Sequence, residues 1–191
     1  MNPRHYVWPF DGGSYFDEIR MGMAHLVGDS RTIFVGQSVR YESNALYRTM
    51  QEEDGTPIVP ISRRLELPVI EDFQLGLCTG MALQGFVPVS IFPRFDFLLL
   101  AINQLVNHLD KIQLMGDFNP KVIIRTTVGA SHPFSSGVQQ SGDYSAALRL
   151  MLKTVEVIEL NSRFEVMNGY KRALAMNGSC IIVEKMNLYN E

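Results

Sequence analysis

Residues 68–92 read PVIEDFQLGLCTGMALQGFVPVSIF, a pattern that predicts a strand, a helix and a second strand. We predict a short strand at 67–70, a helix of small and apolar residues at 75–83, and an apolar strand at 87–92. Two strands joined by a helical crossover run parallel in one sheet. The glycines and alanines of the helix indicate close packing against a neighbour. Glu71 directly follows the first strand.

The same alternation extends over the rest of the chain. Ser14 and Asp17 form a Ser-x-x-Asp capping box that begins the first helix. The remaining elements are predicted at 32–39 (strand), 97–114 (helix), 121–127 (strand), 146–152 (helix), 155–160 (strand), 163–176 (helix) and 179–184 (strand). Continuous apolar strands that alternate with helices predict a three-layer α/β/α fold with a mostly parallel sheet. Residues 1–191 are of a length that suits one such domain.

Two polar segments are predicted as long loops, 41–67 with some helical turn and 129–143 rich in Gly, Ser and Gln. In open parallel sheets, ligands bind beyond the carboxyl ends of the strands. Glu71, the stretch 92–97 and the second loop all follow strand ends. A ligand site is therefore predicted at this edge from position alone.

Composition narrows the functional classes. The chain has 191 residues, of which 46% are hydrophobic and 19% charged, which is typical of soluble globular proteins. A net charge of −3 without a basic run argues against nucleic acid as a partner. No apolar stretch reaches the roughly 18–20 residues that span a bilayer, and the first ten residues lack a signal-peptide core. We therefore expect a cytoplasmic protein without membrane contact, with Cys78 and Cys180 as buried, reduced thiols.

The motifs along 68–115 resemble those of the β subunit of the first component of 2-oxoacid dehydrogenase complexes. In that family a Pro-Ile-Ser-Glu element leads into a Gly-rich helix, followed by a Gly-x-x-Pro-Val strand, a Phe-x-Phe turn and an Ala-x-Asp-Gln-x-x-Asn helix ending in Lys. The matching segments here are Pro68–Glu71, Gly85–Val89, Phe95–Phe97 and Ala101–Lys111, with looser matches at Phe34–Val39, Arg125, Gly129–Ala130, Gln139–Ser141 and Val183–Glu184.

This resemblance implies a pyrimidine-binding domain of a thiamine-diphosphate enzyme, of the kind that transketolases also contain. The family's glutamate, which aligns with Glu71, hydrogen-bonds to the cofactor's pyrimidine ring and activates it. Phe97 aligns with the aromatic residue that stacks on that ring, with Phe92 or Phe95 as substitutes, and Ile70 is expected to contact it. The residues alone leave open that Glu71 is an ordinary acid at a helix N-terminus and that Phe97 belongs to the core.

The family's metal motif is missing. Mg²⁺ and the diphosphate are held in this superfamily by Gly-Asp-Gly followed later by Asn, whereas the Gly-Asp pairs here precede Ser30, Phe118 and Tyr144. We therefore expect no metal ligand on this chain. Thiamine diphosphate would be shared with an α subunit that carries the motif and Mg²⁺, in an α2β2 assembly. The β subunit's C-terminal domain is expected to be absent, and the helices at 75–85 and 98–114 are the predicted interface.

One departure concerns the substrate side. The family's Gln-His-Ser reads Gln139-Gln140-Ser141 here, and glutamine does not shuttle protons near neutral pH as histidine does. Acyl transfer to lipoyl is therefore in doubt. His132 lies in the same loop and is either a substitute or a solvated loop residue.

The leading prediction is the β subunit of a two-chain thiamine-diphosphate-dependent enzyme acting on a 2-oxoacid, by decarboxylation and acyl or ketol transfer. One alternative is a split transketolase, which acts on a ketose. Another is a non-catalytic domain that regulates or scaffolds a complex. A flavodoxin-like or Rossmann-like domain for some other ligand is a further alternative, without a Gly-x-Gly-x-x-Gly or Walker loop to support it.

Overall fold

The computed structural model describes residues 13–42, 44–130 and 137–190. Its strands are β1 (Thr32–Gly36), β2 (Arg64–Glu66), β3 (Val87–Phe92), β4 (Ile123–Val128), β5 (Glu156–Leu160) and β6 (Cys180–Lys185). Its α-helices are α1 (Tyr15–Val27), α2 (Ala45–Arg48), α3 (Glu71–Leu83), α4 (Phe95–Leu98), α5 (Ser145–Met151) and α6 (Arg163–Ala175).

The six strands form one sheet in the order β2-β1-β3-β4-β6-β5, and every pair is parallel. All residues of β3 and β4 are buried, as expected for central strands covered on both faces. The prediction of a three-layer α/β/α domain with a parallel sheet is confirmed.

The helices divide between the two faces of the sheet. On one face α1 packs against α6, where Gly22 allows the close approach, because a β-carbon there would lie 2.3 Å from the Tyr170 ring. On the other face α3 lies beside the helical turns that follow α4. Each face has its own apolar core, and the two cores include Cys180 and Cys78 respectively, both buried and free as predicted.

The helix predicted at 97–114 is irregular. After α4 it continues as a 3₁₀ turn at Leu99–Ala101, a π-type segment at Gln104–Leu109 and a second 3₁₀ turn at Ile112–Leu114. The wide turn ends at Asp110, whose buried carboxylate accepts hydrogen bonds from the backbone amides of residues 153–155. That anchoring fixes where the segment ends.

Two predicted boundaries around Glu71 are wrong. The strand expected at 67–70 lies earlier, at Arg64–Glu66, and α3 begins at Glu71 instead of residue 75. Pro68 has no N–H to donate to a strand ladder, which ends the pairing before it. The predicted capping box of α1 is confirmed, since Ser14 Oγ accepts from the Asp17 amide and Asp17 Oδ2 accepts from the Ser14 amide, both at 3.1 Å. None of the helices in the described ranges has the length and apolar character needed to cross a membrane.

Candidate functional site

The strand order creates a crevice at the carboxyl edge of the sheet. The chain passes from β1 outward to β2, then crosses back to β3 on the other side of β1. Connections therefore diverge between the carboxyl ends of β1 and β3, which is where open α/β sheets bind ligands. Gly36, at the end of β1, allows close approach to β3, because a β-carbon there would lie 2.6 Å from the Ile91 carbonyl oxygen.

The loop after β1 forms an anion-binding turn, which is occupied by a carboxylate of the same chain. The backbone amides of Ser38, Val39 and Arg40 donate to the Glu66 carboxylate at 2.5, 2.8 and 2.9 Å. Ser38 has a φ of 56°, the left-handed conformation that lets successive amides converge on one anion. Because Glu66 occupies these donors, this turn is not open to a phosphate group.

Glu71 is the first residue of α3 and lies at this edge. Its side chain is buried, with the residue 7% exposed, and the described residues supply no hydrogen bond to its carboxyl group. Its sequence neighbours Val69, Ile70 and Phe73 face solvent, Val69 at 73% exposure, while Leu75 is in the core. The apolar residues that flank Glu71 in sequence therefore form an exposed rim beside it, and only Leu75 contributes to the core.

The first turn of α3 is tied to the sheet by Gln74. This fully buried side chain donates from Nε2 to Ser90 Oγ at 3.1 Å and to the Ile91 carbonyl at 3.0 Å. Both acceptors are on β3, one of the two strands that border the crevice. The hydrogen bonds fix the position of the turn that carries Glu71.

Three phenylalanines near the end of β3 differ in accessibility. Phe92 and Phe95 are buried in the core, and Phe95 meets the Tyr144 ring edge-on with centroids 5.6 Å apart. Phe97 is half-buried. Of the three, Phe97 alone keeps surface that a ligand could cover without repacking the core.

The loop before α5 holds Gln140 at the same edge. Val138–Gln140 form a single 3₁₀ turn, in which Val138 is exposed and Gln140 half-buried. The loop is then anchored twice, by Lys185 Nζ donating to Asp143 Oδ2 at 3.0 Å and by the Tyr144 hydroxyl donating to Asp96 Oδ1 at 2.9 Å. His132, the other predicted substrate-side residue, lies outside the described residues.

The acids of two Gly-Asp pairs have other partners. Asp29 pairs with Arg31 at 2.7 Å and Asp143 with Lys185 at 3.0 Å. Across residues 13–42, 44–130 and 137–190, no three His, Cys, Asp or Glu side chains are grouped to hold a metal ion.

The polar residues of the predicted interface divide between two roles. Gln104 packs over Gly76 of α3 and donates to Asp72 Oδ2 at 3.2 Å, so it joins two segments of this chain. Asn107 is exposed and bonds to Asn103 and Lys111 at 3.0 and 2.8 Å. The sequence did not predict three contacts at this edge: the turn filled by Glu66, the hydrogen bond between Tyr144 and Asp96, and the bond from Arg94 to the Gly129 carbonyl. Only Asp96 could have been singled out from the sequence, because it lies between the two phenylalanines of the Phe-x-Phe motif.

No family model matches the sequence. The chain is 26% identical over 133 residues to the pyruvate dehydrogenase E1 component subunit beta of Cyanidium caldarium, covering 67% of this chain and 39% of that protein. It is likewise 26% identical over 133 residues to the 3-methyl-2-oxobutanoate dehydrogenase subunit beta of Mycobacterium tuberculosis (strain H37Rv), covering 66% and 37%. The chain thus spans about two fifths of the length of the curated relatives it matches.

Among solved structures, the chain is similar to one described as "Split gene transketolase, inactive beta4 tetramer". The TM-score is 0.66 at 14% sequence identity, over 92% of this chain and 52% of that one. At this identity the likeness concerns the fold. The resemblance inferred from residues 68–115 is confirmed: the relatives are β subunits of 2-oxoacid dehydrogenases, and the fold is transketolase-like.

Proposed function

We propose that this chain is the pyrimidine-binding subunit of a two-chain, thiamine-diphosphate-dependent enzyme that acts on a 2-oxoacid by decarboxylation and acyl or ketol transfer. The observation that carries the proposal is Glu71, a buried carboxyl at the carboxyl edge of the sheet without a hydrogen bond from the described residues. The carboxyl oxygens are not sealed from solvent, so a ligand at this edge can reach them and supply the hydrogen-bond partner. The similarity to 2-oxoacid dehydrogenase β subunits supports this assignment.

The residues at the edge fit the pyrimidine end of the cofactor. Glu71 would share a proton between a carboxyl oxygen and a pyrimidine ring nitrogen, and Gln74 keeps that carboxyl in place through its bonds to β3. Phe97 would offer an aromatic face to the ring, and Ile70 an apolar contact. When bound, thiamine diphosphate supplies the carbon nucleophile that attacks the substrate carbonyl.

The diphosphate and Mg²⁺ are assigned to a partner α subunit that carries Gly-Asp-Gly…Asn. Three observations support this division. The amides after β1 are occupied by Glu66, and Asp29 and Asp143 are engaged by Arg31 and Lys185. In addition, the Glu71 face, which we define as Val69, Ile70, Phe73 and Leu100, exposes apolar side chains, as surfaces that bind proteins do. An α2β2 assembly would pair two such heterodimers.

A split transketolase is the second candidate. It is supported by the fold likeness to a split-gene transketolase and by Gln140, which cannot replace a proton-shuttling histidine in lipoyl acylation. The same Glu71 and Phe97 would serve a ketose substrate. A purely regulatory or scaffolding role would not require an accessible carboxyl at this position of the sheet edge.

The test is a binding titration of thiamine diphosphate with Mg²⁺ against this chain, its candidate α subunit, and the two together. We expect saturable binding from the mixture only, and marked weakening in Glu71→Ala. Glu165→Gln, an exposed acid on α6 at the opposite face of the sheet, is the control and should bind as the wild type does. Tight binding by this chain alone as a monomer would refute the divided site.

A further inference from the structure

Three arginines are almost fully buried, and two of them, Arg64 and Arg94, have no ion-pair partner among the described residues. Arg125 forms a two-bond ion pair with Glu184. Arg64 donates to the carbonyl oxygens of residues 39, 50 and 59. Arg94 is 8% exposed, yet its one hydrogen bond within the described residues runs from Nη1 to the Gly129 carbonyl oxygen at 2.7 Å. No ion pair to Arg94 is formed by an acid in the described ranges.

The position of Arg94 places this charge at the carboxyl edge. Arg94 follows the last residue of β3 by two positions, and Gly129 directly follows β4. The guanidinium therefore bridges the carboxyl ends of two adjacent central strands. Asp96, the nearest acid in sequence, accepts the Tyr144 hydroxyl at 2.9 Å and is not within ion-pairing distance of Arg94. Phe97, the proposed stacking residue, directly follows Asp96 in the sequence.

A guanidinium stays charged in proteins, and the nitrogens of Arg94 that form no hydrogen bond are not sealed from solvent, so an anion can reach them. Burial lowers the pKa of Arg94, with nearby Asp96 opposing the shift. Because Nη1 is engaged by Gly129, the orientation of the planar group is fixed. The Nε and Nη2 edge, which has no hydrogen-bond acceptor among the described residues, is the edge that binds two oxygens of a carboxylate or phosphate.

We propose that Arg94 is an oxyanion-binding residue that takes the carboxylate or phosphate group of a small-molecule substrate. The identity of the anion rests on the proposed function, since a 2-oxoacid carries a carboxylate and a phosphorylated ketose a phosphate. The existence of the anion site does not rest on the proposed function, because the site requires neither the partner chain nor thiamine diphosphate.

The experiment titrates the purified, ¹⁵N-labelled full chain with sodium pyruvate or with sodium phosphate, in separate arms, with chloride holding the ionic strength constant. The Nε–H signal of Arg94, assigned from its loss in Arg94→Gln, should move saturably in at least one arm. Saturation by pyruvate alone assigns a carboxylate ligand, and by phosphate alone a phosphate ligand.

Arg94→Gln keeps an N–H for the Gly129 carbonyl but removes the charge. The affinity of Arg94→Gln for the anion is measured from the rise in Tm with anion concentration. It should be about ten- to hundredfold lower than that of the wild type, the range expected for loss of a charge-assisted hydrogen bond. Arg163→Gln is the control, because Arg163 also donates from Nη1 to a carbonyl, that of Gly13 at 2.7 Å, and its loss should leave the affinity unchanged.

Two results would overturn the proposal: no saturable response to either anion, or wild-type affinity in Arg94→Gln. If Arg94→Gln does not fold, Arg94→Lys decides. Lysine keeps the charge but lacks the planar two-donor edge, so weaker binding supports the proposal and wild-type binding contradicts it. If the cofactor titration fails, the proposed function is contradicted, but anion binding by Arg94 is not.

Discussion

The hydroxyl of Tyr144 donates to Oδ1 of Asp96 at 2.9 Å, and so connects the loop before α5 to the turn of α4. Asp96 immediately precedes Phe97, and Tyr144 lies four residues after Gln140. The two proposed contact points for ligand, the aromatic residue and the substrate-side loop, are therefore held to each other by one side-chain hydrogen bond.

Removing that bond should loosen the loop. In Tyr144→Phe we expect faster amide hydrogen exchange across 137–143, with little change in the strands, because the ring contact to Phe95 is kept. Mass spectrometry of exchange-labelled peptides measures this. Tyr41→Phe, at an exposed tyrosine, is the control and should leave the exchange unchanged; unchanged exchange in Tyr144→Phe as well would contradict the coupling.

A second prediction concerns the buried ion pair of β4 and β6. Arg125 and Glu184 have fully buried side chains, and Glu184 also accepts the hydroxyls of Tyr170 and Tyr189. Arg125→Met leaves that carboxylate without its counter-charge and should lower the free energy of unfolding by about 3–5 kcal/mol. Urea unfolding measures the loss. The double variant Arg125→Met/Glu184→Leu should recover part of the lost free energy of unfolding. A double variant less stable than Arg125→Met would contradict the idea that the unpaired Glu184 carboxylate causes the loss.

A third prediction is a pH dependence of stability from Lys185. The hydrogen bond from its ammonium group is the main cause that lowers the pKa of Glu159. A carboxyl whose pKa is depressed by folding adds stability above its ordinary pKa, and that stability is lost as the pH falls through the folded value. Lys185→Met should therefore flatten the fall in stability on the acid side of about pH 4.3.

The measurement is the free energy of unfolding as a function of pH, in wild type and Lys185→Met. Lys171→Met, which removes an exposed lysine, supplies the comparison and should keep the wild-type slope. Parallel slopes in all three proteins would mean that Lys185 does not set the acid response.

A fourth prediction tests the Glu71 face as the partner surface. Phe73→Ser changes an exposed side chain, so the Tm of the isolated chain should hardly move. Binding to the α subunit should weaken by about tenfold or more, which is about 1.4 kcal/mol, as expected for an aromatic interface residue. Analytical ultracentrifugation of the mixture reports this. Phe164→Ser, equally aromatic and exposed but on α6 at the opposite face of the sheet, should leave the assembly intact.

The sequence predicted the sheet well because its strands are nearly continuous apolar runs. It misplaced β2, a three-residue edge strand that contains the buried Arg64. Burial of that guanidinium depends on carbonyls contributed by residues 39, 50 and 59, which no local pattern reveals. The start of α3 at Glu71 was missed for a similar reason, since Ile70 provides no side-chain cap to mark it.

The candidate site was predicted in position and only partly in detail. A glutamate after a strand and an aromatic residue after the next one can be recognised from spacing and motif. The unpaired state of Arg94 and the filling of the β1 turn by Glu66 depend on tertiary neighbours 35 and 26–28 residues away. Such relationships have no signature in a single sequence.

If the carboxyl group of Glu71 activates the cofactor, as proposed, its replacement should slow the loss of the thiazolium proton. The most direct test is the rate at which the thiazolium C2 proton of thiamine diphosphate exchanges with deuterium in the assembled enzyme, followed by NMR after rapid acid quench. In Glu71→Gln at saturating cofactor we predict a rate roughly 10²–10⁴-fold lower, the usual contribution of a positioned acid–base group, with Glu165→Gln on α6 unchanged. A wild-type exchange rate in cofactor-saturated Glu71→Gln would contradict the account.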